Sequence, residues 1–378
     1  MTGEELRNRY TERISHFREA VQRQNKRINL LSLARLLTLV GFIWLLVLSI
    51  RSGDILFIVL TSLMLVLFIS LISIYNGQQG LRELFRQLLK LNETELACSD
   101  HDFHDLPDGS EHADTAHQWS HDLDMFGAGS LYQYLNRTCT PGGSRKLAGL
   151  LCSEAGSAEE ILDRQKKILD LRGRIEFRQH FTATGVLIKE KPDDLRDFSR
   201  WLKSTAYIEK YPWLFYLALL MSLVSVFFIV KVILDPSRFL QLLYPLMFNL
   251  MVLSPFLLRT QKYQESISRK HALLEGYARL LRLIAGESFQ HPELQENSIK
   301  ARDGMSKVRR LSKLVQLFDQ RLNMLLGAFL NGLFLFDFIM LHLLERWKRK
   351  NQADIQEWIG ICSRTDAQIL SLIHISEP

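Results

Sequence analysis

Apolar residues in this chain are concentrated in two separated pairs of long runs. Each run is about twenty residues long, which is the length that an α-helix needs to cross the hydrocarbon core of a membrane. Short polar loops join the members of each pair, RSGD at 51–54 and DPSR at 235–238. The pattern predicts two transmembrane hairpins rather than buried helices of a soluble protein, with runs at Leu36–Ile50 (extending back towards Ile28), Ile55–Tyr75, Trp213–Leu234 and Phe239–Leu258.

A fifth apolar stretch, Met324–Leu344, differs from the other four because it carries polar side chains. Asn331, Asp337 and His342 would each be costly to place in lipid. We therefore expect this stretch to form a buried helix of the soluble domain rather than a fifth span.

Basic residues lie at the polar ends of the two hairpins, and few charges lie in the short connecting loops. Because cytoplasmic segments of membrane proteins are enriched in Lys and Arg, this asymmetry predicts an orientation. We expect a multi-pass protein of the inner (cytoplasmic) membrane whose N-terminus, middle segment and C-terminal segment face the cytoplasm. The residues that carry this prediction are Arg7, Arg9, Arg13, Arg18, Arg23, Lys26, Arg27, Arg259, Lys262, Arg269 and Lys270.

The segment before the first run has a narrow apolar stripe at helical spacing. This stripe is typical of a helix that leads into the first span, and it is also compatible with a coiled-coil arm or with a helix on the membrane surface. Its apolar positions are Leu6, Tyr10, Ile14, Phe17 and Val21.

The segment 98–121 is rich in His and Asp, but its spacing is not that of a metal site. Pro107 and Gly109 mark a turn-rich loop, and no HxxxH pair lies on a predicted helix. We interpret the segment as a solvated linker and expect no metal ligands in the chain. The 4 cysteines are also far apart, which favours structural thiols in a reducing compartment. The histidines of the linker are His101, His104, His112, His117 and His121.

The segment after this linker contains several helix start signals. Ser130 followed by Gln133 is a capping box and predicts a helix through Arg137. Thr140 followed by Pro141 predicts a second helix, because a proline at the first helical position loses no hydrogen bond.

Further helices are predicted downstream, and no segment has convincing strand alternation. Ser157 with Glu160 is another capping box, and Asp193–Ser204 has the pattern of a helix that leads to the third run. The apolar positions expected to face inward after Ser157 are Ile161, Ile168 and Leu171.

The same segment carries a motif that resembles the opening of the core domain in the MutS mismatch-repair family. The preceding HDLDMFG at 121–127 is similar to the membrane-linked subgroup of that family, and Leu317–Trp358 resembles its returning core helices. The resemblance covers much of the soluble part of the chain and excludes the hairpins. The matching positions are Ser130, Leu131, Leu135, Asn136, Arg137, Thr138, Thr140, Pro141, Gly143, Arg145, Leu147, Ile161 and Arg164.

The resemblance implies a dimeric ATPase that binds ATP and Mg²⁺ and that could bind DNA. ATP binding in that family needs a P-loop, which cradles phosphates with backbone N–H groups and a lysine. No P-loop occurs in this chain, and no residues form a recognisable catalytic, cofactor-binding or metal-binding set. We therefore expect these residues alone to hydrolyse nothing, and we expect the ATPase domain to lie beyond them.

A group of basic residues between 300 and 313 could contact nucleic-acid phosphates. Alternatively, these residues form a solvated helix face or lie against anionic lipid, which we favour over DNA contact. The residues are Lys300, Arg302, Lys307, Arg309, Arg310 and Lys313.

The sequence thus predicts an all-α protein with four transmembrane helices in two hairpins and a cytoplasmic MutS-like helical core. The final residues, LSLIHISEP at 370–378, resemble a translated sequencing adapter, so we expect the natural chain to continue differently after about residue 369. The expected division is an amphipathic helix at 1–28, a hairpin at 29–75, a helix and linker at 76–121, the first core part at 122–212, a hairpin at 213–258, the returning core helices at 259–369 and the adapter-like tail at 370–378.

Two classes of function are compatible with these features. The first is a membrane-anchored MutS-like protein, which would be related to DNA mismatch repair, would bind ATP and would form a homodimer. The second is a membrane scaffold or mechanical ATPase subunit that binds a protein partner and has no role on DNA.

Overall fold

The chain is all-helical wherever the computed structural model describes it, which is at residues 3–114, 117–154, 156–188, 190–191, 194–204 and 211–369. No β-strand occurs in these ranges. Short 3₁₀ helices lie at Ser110–His112, Pro236–Leu242, Ser254–Phe256 and Gln320–Leu322. The α-helices are α1 (Gly3–Ser52), α2 (Ile55–Ser99), α3 (Leu131–Leu135), α4 (Pro141–Cys152), α5 (Ala158–Arg172), α6 (Ile175–Val186), α7 (Asp194–Lys203), α8 (Trp213–Leu234), α9 (Leu243–Leu253), α10 (Leu257–Gly286), α11 (Pro292–Asp319), α12 (Met324–Phe334) and α13 (Phe336–Gln368).

Helices α1 and α2 form one long antiparallel hairpin that continues well beyond the apolar runs. The chain reverses at Gly53, whose φ of 67° lies in the left-handed region that glycine adopts without strain. Near this turn the apolar side chains point outwards; Trp44 and Ile50 are 69% and 77% exposed. Such surfaces are stable next to lipid rather than water, and both helices are long and apolar enough to cross a membrane.

The opposite end of this hairpin, residues 3–28 and 84–99, packs against the core and is called the arm below. Leu6 and Tyr10 pack with Cys98 and Ile175, and Phe17 packs near Leu88 on α2. The apolar stripe of the N-terminal segment is therefore buried between α2 and α6. The helix also runs without a break into the first span, so the expectation of a lead-in helix is confirmed.

The second hairpin consists of α8 and a bent second limb. Helix α8 is long and apolar enough to cross a membrane, and so is the composite helical segment Pro236–Gly286. Four candidate spans therefore lie in the described residues, as the apolar runs predict. The second limb is not one straight helix, because Pro255 interrupts it in the 3₁₀ turn between α9 and α10.

The fifth apolar stretch departs from the expectation of a single buried helix. It breaks at Leu335, which has left-handed backbone angles (φ 47°, ψ 43°), and α12 and α13 meet at a bend of 85°. Helix α12 packs against α8 and α9, and its Leu325 is 83% exposed. The prediction of one buried soluble helix is thus wrong: α12 accompanies the second hairpin, and only α13 enters the core.

Hydrogen bonds from the second hairpin hold this break in place. The side chains of Ser225 and Ser222 donate to the carbonyl oxygens of Leu333 and Phe334, and Asn249 Nδ2 donates to that of Gly332 at 2.9 Å. A helix end leaves its last carbonyl groups without partners inside the helix. In an apolar environment such groups need other donors, and α8 and α9 supply them.

The polar residues of the fifth stretch are also paired within the protein. Asn331 Nδ2 donates to Asp337 Oδ1 at 3.0 Å, and Arg321 Nη2 lies 2.9 Å from Asp337 Oδ2. The ring of His342 stacks on Phe215 of α8 with centroids 4.0 Å apart. These contacts explain how a polar stretch can lie beside the apolar hairpin, because buried polar groups are tolerated when they are paired.

The helical core is built from α4 to α7, α10, α11 and α13. Helices α10 and α11 form an antiparallel pair, and α13 lies across it with Phe338, Ile355 and Ile361 fully buried.

Helix α3 ends at Leu135 rather than at Arg137. In α5, Leu171 is buried as predicted, but Ile161 is 39% exposed, so its inward placement is wrong. The predicted helix before the third run is α7, which begins at Asp194.

The hydrogen bond from Ser225 to the break can be tested by comparing the stability of two serine variants. S225A removes the donor to the Leu333 carbonyl and leaves a buried acceptor without a partner, so we expect it to lower stability by about 1–3 kcal/mol. S62A is the matched control, because Ser62 is exposed and bonds only to Ile58 of its own helix. Thermal unfolding of both variants in detergent tests this. Equal melting temperatures for S225A and S62A would contradict the assigned role of Ser225.

Candidate functional site

The motif that resembles MutS begins at the cap of α3. Ser130 Oγ accepts a hydrogen bond from the N–H of Gln133 at 3.2 Å, so the predicted cap is confirmed. The Gln133 side chain does not return to Ser130, but accepts from the N–H of Gly129 at 2.7 Å. Its amide nitrogen donates to the carbonyl oxygens of His104 and Leu106. Gln133 therefore ties the linker to the start of the motif.

The second cap, at the start of α4, contacts a residue near the end of α13. Thr140 Oγ1 accepts from the N–H of Gly143 at 3.0 Å and donates to Asp366 Oδ2 at 2.7 Å. The Asp366 carboxylate also accepts from the backbone N–H groups of Thr140 and Cys139, at 2.9 and 3.1 Å. We call this group of contacts the Asp366 clamp. It places a carboxylate at a helix N-terminus, where the helix dipole favours negative charge.

The small residues of the motif allow this close approach. A Cβ atom on Gly143 would lie 2.0 Å from Asp366 Oδ2, and one on Gly142 would lie 2.3 Å from Ser363 Oγ. Both distances are far below a normal contact. The glycines after Pro141 are therefore required by the packing of α4 on α13, and their cost in helix propensity is offset by that contact.

Burial determines the acidity of the clamp. Asp366 is fully buried, and its desolvation raises the pKa of the carboxyl group to about 6, although hydrogen bonds from Thr140 and Cys139 act in the opposite direction. Nearby, burial raises the pKa of Glu190 to about 7, and Glu190 accepts from the hydroxyl of Tyr277 at 2.7 Å. Two carboxyl groups near α4 therefore titrate close to neutral pH.

Arg137 connects the motif to the arm. Its Nε lies 2.6 Å from Glu95 Oε1 on α2, and its Nη1 donates to the carbonyl oxygens of Tyr134 and Asn136. The side chains of Arg137 and Glu95 are only 4% and 7% exposed. Removing one member of such a buried pair leaves an uncompensated charge, so the pair makes the position of the arm specific.

The remaining motif residues have smaller structural roles. Thr138 Oγ1 donates to Asn136 Oδ1 at 2.7 Å and closes the turn before α4. Leu135 lines an open groove of about 480 Å³ between α4, α5 and the end of α13. Arg145 is exposed and bonds to the Pro141 carbonyl of its own helix. The structure thus brings Arg137, Thr140 and Gly143 into the two buried networks, while Arg145 remains on the surface.

The basic residues of α11 are partly neutralised. Lys300 Nζ lies 2.8 Å from both Glu296 and Glu357, and Lys307 Nζ lies 2.6 Å from Asp303 and 2.7 Å from Asp354. The Arg302 side chain bonds to the Ala285 carbonyl, whereas Arg309 and Arg310 are exposed. Lys300 and Lys307 would each have to leave two carboxylates to contact a phosphate.

The histidine-rich linker packs against α4 in part. His112 Nε2 lies 2.7 Å from Ser144 Oγ, and His117 Nε2 lies 3.1 Å from the Cys152 carbonyl oxygen. The interpretation of a fully solvated linker is therefore wrong for these two residues. Throughout the described ranges, no cluster of three or more His, Cys, Asp or Glu side chains could hold a metal ion.

Two residues of these networks were missed from the sequence: Asp366 and Glu95. Each belongs to a helix that also has a polar face, and a charged residue within such a helix normally faces solvent. No local signal distinguishes Asp366 from the exposed acids of other helices. Only the packing of α13 on α4 makes it part of the site.

No protein-family model, curated protein or solved structure matches this chain.

The two glycines of α4 provide a direct test of the clamp. G143A would push a methyl group into the Asp366 carboxylate and is expected to destabilise the protein by about 2 kcal/mol. G149A lies in the same helix with open space around its Cβ position, so it should stabilise the helix by about 0.5–1 kcal/mol. Thermal unfolding distinguishes the two, and the same shift for both variants would refute close packing at Gly143.

The raised pKa of Asp366 predicts how stability changes with pH. Because the folded-state pKa of about 6 exceeds the ordinary aspartate pKa of 3.8, the protonated form contributes stability that is fully present below pH 3.8 and is lost as pH rises through 6. Wild type should therefore lose stability relative to D366N between pH 4 and 7. Unfolding curves at several pH values measure this difference, and a constant difference across the range would contradict the raised pKa.

Proposed function

We propose that this chain is the membrane anchor and helical core of a membrane-bound MutS-like protein. In this proposal the core transmits movement between a nucleotide-driven ATPase domain and the membrane hairpins. The ATPase domain, with ATP and Mg²⁺, would be carried by the natural protein beyond these residues, and the complete protein would act as a homodimer. The Asp366 clamp is the observation that carries the proposal.

The clamp supports the proposal because it joins the opening motif of the core to the end of its last helix. Thr140 and Gly143 of the motif contact Asp366, which lies two residues before the end of α13. A domain attached after α13 would pull directly on this contact. The residues that resemble MutS would then serve to receive movement from the attached domain.

Helix α13 also provides a mechanical path to the membrane. It has 33 residues and extends from the Leu335 break, beside the second hairpin, to the clamp. At a rise of 1.5 Å per residue this is a continuous rod of about 50 Å. A displacement of one end would therefore be passed to the other, because the rod begins directly after the end of α12 that Ser222, Ser225 and Asn249 hold.

The distribution of basic residues favours a mechanical role over a role on DNA. The ion pairs of Lys300 and Lys307 reduce the number of cations available for phosphates. We therefore propose a membrane-linked mechanical ATPase as the preferred form of this function, with mismatch repair as the second form. The enrichment of Lys and Arg beside the hairpins supports placing the N-terminus and the core in the cytoplasm.

The proposal is tested with the natural protein, expressed from its genomic reading frame and purified in detergent. We expect ATP hydrolysis that depends on Mg²⁺ and that is not stimulated by duplex DNA at physiological salt. G143A should change the hydrolysis rate if the clamp transmits movement, and G149A is the matched control. ATP hydrolysis and DNA binding by titration at several salt concentrations are the measurements.

The outcomes separate the alternatives. Salt-sensitive duplex binding together with DNA-stimulated hydrolysis would replace the mechanical role by a repair-related one. A natural protein that neither binds nor hydrolyses ATP would refute the ATPase and favour a scaffold that binds a protein partner.

A further inference from the structure

A small cavity lies where the arm, α6 and the end of α13 meet. Its volume of about 30 Å³ exceeds the roughly 10–15 Å³ that one water molecule requires, so it can hold one ligand of a few atoms. It lies at the end of the hairpin that is distant from the apolar turn at Gly53. The polar side chains that line it are Tyr10, Glu95, Arg137, Arg178, Gln179 and Thr182.

Two arginine side chains at this cavity have N–H groups without partners. Arg178 is only 5% exposed, and its Nε and Nη1 have no hydrogen-bond partner within the described structure. Arg137 is 7% exposed, and its Nη2 also has no hydrogen-bond partner within the described structure, although its Nε and Nη1 are bonded. Buried N–H groups of a charged side chain are rarely left unpaired, because each has lost its hydrogen bonds to water without replacement.

The neighbouring polar groups do not balance the positive charge. Glu95 is the carboxylate that lines the cavity, and it faces two guanidinium groups. Gln179 Oε1 already accepts from Arg13 and Asn92, and its Nε2 donates to Asn92 Oδ1. Burial raises the pKa of Tyr10 well above its usual value, so its hydroxyl stays neutral. The lining of the cavity therefore carries one excess positive charge.

We propose that this cavity binds one compact monovalent anion, a halide ion or a carboxylate group, between Arg137 and Arg178. An anion would neutralise the excess charge and accept the N–H groups that have no other partner. An unpaired buried charge is costly because it has lost its hydration, so the bound anion has a clear energetic role. The small volume excludes larger anions such as gluconate.

The position of the site indicates what the anion would do. Arg178 belongs to α6 of the core, Glu95 and Tyr10 belong to the arm, and Arg137 belongs to the motif before α4. An anion held by both guanidinium groups would join the motif to α6 directly, and the ion pair of Arg137 with Glu95 connects this junction to the arm. Its concentration would therefore control how firmly the membrane hairpin is docked on the core, whether or not the protein is an ATPase.

The test uses the full chain in detergent at constant ionic strength and pH. The melting temperature is measured as sodium gluconate is replaced by sodium chloride or by sodium formate. A ligand that binds only the folded state should give a saturable rise of about 3 °C at a hundredfold excess over its Kd. We expect this rise for chloride, for formate or for both.

Variants assign the effect to the cavity. R178Q removes one guanidinium and should abolish the dependence on chloride and formate. R310Q removes an exposed arginine on α11 and should leave the dependence unchanged. Because R178Q could fail to fold, the ³⁵Cl NMR linewidth of the wild-type protein, with formate as a competitor, provides an independent measure of binding.

Each outcome decides the proposal. A rise with formate alone, lost in R178Q, supports the site with a carboxylate group as its ligand, and a rise with chloride, lost in R178Q, supports a halide. The proposal is overturned if neither anion changes the melting temperature and the ³⁵Cl line is not broadened. It is also overturned if R178Q folds and keeps the full anion dependence.

Discussion

The carbonyl groups at the end of α12 impose the constraint on which the rest of this structure depends. An apolar stretch that breaks at Leu335 leaves the carbonyl oxygens of Gly332, Leu333 and Phe334 without partners in their own helix. Lipid offers no donors, so the break can exist only beside side chains such as Ser225 and Asn249. This requirement fixes α12 against the second hairpin and sets the direction in which α13 leaves it.

Near the other end of α13, the groups that need partners are N–H donors instead of carbonyl acceptors. The first turn of α4 presents N–H groups without partners inside the helix, and Asp366 accepts the N–H groups of Thr140 and Cys139 at its entrance. The start of α13 therefore follows directly on the end of α12 that α8 and α9 hold, and near its other end Asp366 contacts the entrance of α4. This makes α13 a defined connection between the second hairpin and the motif, rather than one core helix among several.

Buried charges define how the arm docks on this framework. The pair of Arg137 and Glu95 joins the motif to α2, and Arg178 adds a second guanidinium at the same junction. Such groups contribute little net stability, because desolvation offsets much of their attraction. These charges are paired in only one position of the arm. They therefore orient the first hairpin with respect to the core.

The sequence by itself determined the four apolar helical segments long enough to cross a membrane, the all-helical class of the described residues and the caps at Ser130 and Thr140, because these follow from run length, periodicity and local hydrogen bonding. It could not predict the break at Leu335, because a left-handed leucine has no local signal and is stable only through contacts from α8 and α9. It also could not place Asp366 in a buried network, since its partners Cys139 and Thr140 lie 227 and 226 residues away in the chain. Tertiary packing alone decided these positions, because desolvation and pairing depend on which helices meet and not on the local pattern.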